Sequence, residues 1–77
     1  MKIEFKQEGT KFRQMLDAFT VAIGQERYKK GELLPSINYL SKINNVSRDT
    51  VFKVYLELKR RGLVDSTSTN GYHIHRF

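Results

Sequence analysis

Apolar and polar positions change rhythm three times along this 77-residue chain. Residues 2 to 6 have a period of two, with Ile3 and Phe5 on one side and Lys2, Glu4 and Lys6 on the other, which predicts a short extended arm. From Lys11 the period becomes helical: Phe12, Met15, Leu16, Phe19, Ala22 and Ile23 fall three and four apart and so share one face. Thr10 is the expected N-cap, since its hydroxyl can accept an unpaired N–H of the first turn. The spacing carries this helix to about Arg27, before the Lys29-Lys30-Gly31 turn. Leu33-Leu34-Pro35 must be extended, because the residue before a proline is pushed out of the helical region. Ser36 then caps a short second helix with Ile37, Leu40 and Ile43 inward, and Asn44-Asn45 ends it with residues that tolerate the left-handed conformation. Val46 is a buried plug in the turn. Ser47 caps a third helix over about 47–61, with Val51, Val54, Tyr55 and Leu58 at i, i+3, i+4 and i+7, and Gly62 stops it. Leu63 to Thr67 and Tyr72 to Phe77 return to strand composition, with a hairpin signal at Asn70-Gly71.

Composition narrows what such a chain does. Seventy-seven residues make one domain with a thin core, which leaves no room for a self-contained enzyme with a deep substrate pocket. No cysteine is present, so disulfides, a thiolate nucleophile and a cysteine zinc site are all excluded, and an intracellular, cytoplasmic location fits best. The apolar runs are too short for a membrane span, and charges occupy the start where a signal peptide would be apolar. The net charge of +6 favours a polyanionic partner. Its surplus is concentrated in residues 36 to 62, which carry six basic and two acidic side chains, whereas residues 63 to 77 are neutral.

Two short helices joined by a tight turn and followed by a hairpin are the parts of a winged helix-turn-helix, an α+β fold that is mainly α. Such a fold presents the second helix of the pair to the major groove of DNA, about 12 Å wide. Stepping 100° per residue from Val51 puts Asp49, Lys53, Leu56 and Arg60 on the side away from the core, with Phe52 on its flank. Ser47, Arg48 and Thr50 lie at the helix N-terminus, where backbone N–H groups already favour phosphate. A cation in a first turn is opposed by the helix dipole, so Arg48 calls for an anionic partner. Lys59, Arg60 and Arg61 occupy a last turn, where the same dipole favours them without any ligand.

Leu34-Pro35-Ser36, Leu40-Ser41, Val46-Ser47-Arg48-Asp49-Thr50-Val51, Leu58 and Gly62-Leu63-Val64 resemble, in order and spacing, the N-terminal DNA-binding domain of GntR-type bacterial transcription regulators. Lys11 to Met15 and the Tyr28 and Gly31 positions are similar as well, so the resemblance spans roughly residues 11 to 75. Beside the arm read from the period-two pattern, which takes residues 1–10, it implies a winged helix-turn-helix over 11–77 and a C-terminal dimerisation and effector domain absent from this chain. It further implies sequence-specific binding of double-stranded operator DNA by a homodimer, regulated by a small metabolite, with no cofactor. By the same resemblance Ser36 binds phosphate, Asn38 reaches toward the duplex, and Arg48 contacts guanine or phosphate. Ser47, Asp49, Thr50, Phe52 and Lys53 complete the recognition helix. Asn70, Gly71 and His73 belong to the wing, over residues 66–73 near the minor groove. The sequence departs from the family at Phe52, often polar in relatives, and at Asn44, where a large apolar residue is usual; the end of the second helix is therefore expected to be locally adjusted. The wing tip also lacks basic residues, which makes it the weaker contact.

Two points stay open from sequence. Phe52 and Leu56 are expected to pack as core under the wing or the first helix; exposed, they would meet DNA methyl groups or dock a protein, the alternative function of such a module. His73 and His75 fall on one side of a strand, but without cysteine or an acidic pair they read as surface residues, not metal ligands.

Overall fold

The computed structural model describes residues 1–66 and 71–75. Helix α1 covers Lys11–Gly24, α2 Ile37–Asn44 and α3 Arg48–Arg60, and strands β1 (Val64–Ser66) and β2 (Tyr72–Ile74) follow. All three N-caps are those the sequence predicts. The hydroxyls of Thr10, Ser36 and Ser47 accept the N–H groups of Arg13, Tyr39 and Thr50, each at 3.1 Å, so each helix starts where a side chain first satisfies an orphan donor.

The helix ends share one device. After each helix a left-handed residue turns the chain, Glu26 (φ 59°), Asn45 (φ 52°) and Gly62 (φ 79°). The next N–H then reaches back five residues: Arg27 to Ala22, Val46 to Ser41, and Leu63 to Leu58. This is the Schellman closure. It stops α1 three residues before Arg27, because Glu26, a residue with no preference for the left-handed region, is nevertheless placed in it.

β1 and β2 pair antiparallel in the register Val64–Ile74, Asp65–His73, Ser66–Tyr72. The extended segment before Pro35 joins them through a bridge between Leu33 and His73. The wing is thereby stitched to the linker that enters α2: Leu34 N–H donates to the Tyr72 carbonyl at 2.8 Å, and Ile74 N–H to that of Glu32 at 2.9 Å. The expected turn at Asn70 lies outside the described residues.

The predicted apolar stripe of α3 (Val51, Val54, Tyr55 and Leu58) is fully buried, and α1, α2 and β1 all pack on that helix. Met15, Leu16, Phe19, Leu40, Val64 and Ile74 complete the centre. An aromatic series runs through it, Phe19 edge-on to Tyr55 at 5.7 Å and Tyr55 tilted on Tyr72 at 4.8 Å, an arrangement that favours ring edges over ring faces. The Tyr55 hydroxyl donates to the Pro35 carbonyl at 2.6 Å, fixing the recognition-helix candidate to the start of α2. Burial, with the nearby Tyr28 and Tyr72 hydroxyls adding to it, pushes the Tyr55 phenol far above its ordinary range.

The arm follows its period-two pattern, with Met1, Ile3 and Phe5 partly buried against the core and Lys2, Glu4 and Lys6 exposed. What holds it is Asn44. The end of α2 is not adjusted to avoid this residue; the helix runs through it, and the amide is buried. Its Oδ1 accepts Ile3 N–H at 2.7 Å, and its Nδ2 donates to the carbonyls of Met1 (3.0 Å) and Leu40 (3.1 Å). Gln14 does the same for the loop behind the arm: its Oε1 accepts Lys6 N–H at 2.7 Å, and its Nε2 donates to the Lys6 and Glu8 carbonyls at 3.0 Å.

Candidate nucleic-acid interface

The turn between α2 and α3 brings the two helix N-terminal regions onto one exposed face. Ser41 Oγ donates to the Val46 carbonyl at 2.6 Å, and Val46 itself is buried. Lys11 Nζ donates to the Asn45 carbonyl at 3.2 Å while lying over the Phe5 ring, so the turn is also tied to α1 and the arm. With the turn fixed, α3 has one orientation, set by its buried stripe.

Ser36, Asn38, Ser47, Arg48, Asp49, Phe52 and Lys53 are all exposed, and Thr50 is half-buried. Of these, the structure brings Arg48 and Asn38 together across the turn, with Nη1 donating to Oδ1 at 3.4 Å. Ser47 and Thr50 pair through their hydroxyls at 2.8 Å. Lys53, read from sequence as part of the recognition helix, pairs with Asp49 at 3.1 Å, an exposed i,i+4 pair of the kind worth only about 0.3–0.5 kcal/mol. The pair is close to neutral. That leaves Arg48 as the cation of this face that no carboxylate neutralises among the described residues. Its partner is a neutral amide oxygen, and the dipole of its own helix opposes it.

The last-turn cations behave as their position predicts. Arg60 reaches Glu57 at 2.8 and 2.5 Å and Arg61 reaches it at 2.9 Å, and the hydrogen bonds from Arg60 and Arg61 hold the Glu57 carboxyl at about 2. Lys59 Nζ donates to Ser66 Oγ at 3.0 Å, joining α3 to the wing.

Two sequence expectations are corrected here. Phe52 and Leu56 are not core: they are 41% and 43% exposed. The reason is angular, since Val51 and Tyr55 take the inward direction and each following residue is rotated by about 100°. His73 and His75 are not plain surface residues either. Both are half-buried; His75 Nδ1 pairs with the Asp65 carboxylate, and His73 Nδ1 is enclosed without a hydrogen-bond partner among the described residues. The hydrogen bond from His75 holds the Asp65 carboxyl below the usual range, with the charges of His75, His73 and Lys59 acting in the same direction.

Gly71 is half-buried at the foot of β2 and lines a shallow cleft with Pro35, Ser36 and Tyr72. The wing base is therefore next to the N-terminus of α2. Asn70 lies outside the described residues. One exposed residue of this region was missed from sequence: Tyr39, beside Asn38 and 53% exposed. The signal was available, because an aromatic residue that falls off the Ile37, Leu40, Ile43 stripe has no place in the core.

The family model described as bacterial regulatory proteins, gntR family, matches residues 13–74. A regulator from Bacillus subtilis (strain 168), the HTH-type transcriptional regulator YcxD, is 34% identical over 64 residues; the match takes in 83% of this chain and 14% of that protein. Among solved structures, YtrA from Sulfolobus acidocaldarius, a GntR-family transcription factor, superposes with a TM-score of 0.87 at 26% identity over 97% of this chain and 81% of its own. The DNA-binding domain of AraR in complex with operator ORX1 has the same fold, with a TM-score of 0.81 at 22% identity over 96% and 94% of the two chains. The motif order from Leu34 to Val64, the fold built on it, and the match over residues 13–74 agree: the chain belongs to the gntR family of bacterial regulatory proteins.

Proposed function

We propose that this domain binds double-stranded operator DNA sequence-specifically, with α3 in the major groove, the wing near the minor groove, and no catalytic step. The observation that carries the reading is Arg48: an exposed arginine in the first turn of α3 that donates to Asn38 of the neighbouring helix and forms no ion pair with a carboxylate among the described residues. That fork suits guanine O6 and N7 or a phosphate. The N-termini of α2 and α3, capped by Ser36 and Ser47, supply donors for phosphates on either side. Operator complexes of the AraR domain, which shares this fold, support the same docking. A longer protein would supply a homodimer and an effector domain responding to a small metabolite, acting on the operator in the cytoplasm.

The test is duplex binding against ionic strength, followed by selection of a preferred operator. Affinity is expected to fall linearly in log–log form with salt. Arg48→Ala is expected to weaken the selected operator by roughly 5- to 150-fold, the range for one bidentate base contact. Salt-independent binding, or an unchanged Arg48→Ala, would overturn the reading. The exposure of Phe52 and Leu56 favours one other function, a winged helix that docks a protein; there Phe52→Ser abolishes partner capture and leaves DNA retention alone.

A further inference from the structure

On that DNA-binding reading, we infer that Phe52 is a specificity-determining residue that reads the 5-methyl group of a thymine in the major groove. Three observations carry it. First, Phe52 is 41% exposed while Val51, Val54 and Tyr55 on the same helix are fully buried; the ring is excess to the core and projects from the reading helix.

Second, its neighbourhood suits a groove and not a solvated face. Phe52 follows Arg48 by four residues, a displacement of about 6 Å along the helix and about 40° around it. The flanking Asp49 and Lys53 pair with each other at 3.1 Å, so the charges beside the ring partly offset one another. A base pair occupies 3.4 Å of duplex axis, which places the group Phe52 meets within about two base-pair steps of the base Arg48 contacts.

Third, the chemistry leaves one target. A phenyl ring carries no hydrogen-bond donor or acceptor, and the major groove presents a single apolar group, the C5-methyl of thymine. A cytosine amino group or a guanine edge placed there would lose its water without gaining a partner. The position is thus biased toward thymine by exclusion as well as by contact.

The experiment uses the selected duplex with each thymine replaced in turn by deoxyuridine, which deletes only the methyl group. One replacement, within about two steps of the guanine whose 7-deaza analogue reproduces the Arg48→Ala defect, is expected to weaken binding about fourfold, the worth of one methyl-sized group removed from water. In Phe52→Ala the same replacement is expected to cost nothing. Phe52→Arg, also at an exposed position, is expected to move the selected base from thymine toward guanine. A chain that binds and selects DNA but tolerates uracil at every position overturns this inference alone. A chain that binds no duplex in a salt-dependent way overturns the DNA reading and this inference with it.

Discussion

Asn44→Ala detaches the N-terminal arm and is the sharpest stability test of the fold. The amide makes two bonds to the arm, at 2.7 Å to Ile3 N–H and 3.0 Å to the Met1 carbonyl. The third goes to Leu40 one turn back in the same helix. At a net 0.5–1.5 kcal/mol each, the two arm bonds are worth about 1–3 kcal/mol. The loss has a ceiling. If the orphaned Ile3 N–H and Met1 carbonyl stayed docked they would carry a desolvation penalty, but the arm can lift away and hydrate them, so the cost cannot exceed the free energy of docking Met1, Ile3 and Phe5. A loss of about 2 kcal/mol lowers the melting temperature of a domain this size by roughly 8–16 °C. Urea unfolding of Asn44→Ala, with and without residues 1–5, separates the contributions, because the substitution should be much milder once the arm is gone. Equal costs in both backgrounds would refute the argument, since Asn44 would then act through something other than the arm. Exchange of the Ile3 amide is the direct readout: slow in the parent chain, fast in the variant.

Glu26→Gly is expected to stabilise the domain by about 1 kcal/mol in thermal unfolding, relieving a left-handed residue with a side chain and removing an anion from a helix C-terminus. Tyr55→Phe removes the hydrogen bond to Pro35 and is expected to cost about 0.5–1.5 kcal/mol in the same assay; in an alkaline absorbance titration of the parent chain, Tyr55 is expected to ionise well above the ordinary tyrosine range. Glu57 ionises at about 2 in the folded state against an ordinary 4.5, so its contribution is complete above pH 4.5 and is lost as pH falls from there through about 2. Glu57→Gln should flatten that acid limb, and an unchanged limb in the variant would show that Arg60 and Arg61 are not its cause.

Residue types reveal a structural role where the local rule is strong and misread it where a neighbour in space decides. The starts of all three helices are legible because Thr10, Ser36 and Ser47 each satisfy a donor three residues on, a purely local transaction. Two of the three helix ends are legible for the same reason, since asparagine and glycine accept positive φ. The end of α1 is not, because its turning residue is a glutamate that nothing in the sequence marks for that role. Phe52 and Leu56 fail for a different reason. Their spacing suits a buried face, and only the packing of Val51, Val54, Tyr55 and Leu58 against α1, α2 and β1 shows that the interior is already full. The pairing of Lys53 with Asp49 is open to an i,i+4 argument, and it matters to the site because it partly neutralises a cation of the recognition helix.

The two departures from the family pattern therefore have opposite physical characters. At Asn44 a polar residue replaces an apolar one at a site that remains buried, which is tolerable only because a partner of matching polarity arrives. The partner is the backbone of the arm, so the substitution at the end of α2 and the period-two arm are coupled, although Asn44 lies 41 residues from Ile3 and 43 from Met1. At Phe52 an apolar residue replaces a polar one at a site that remains exposed, with 41% of its surface open among the described residues. A buried polar group finds its complement inside the molecule or destabilises it; an exposed aromatic one has no such requirement for folding. The compensation for Asn44 is hence visible in the fold, whereas that for Phe52 has to be sought in whatever α3 meets, and the thymine methyl is the apolar group a major groove offers.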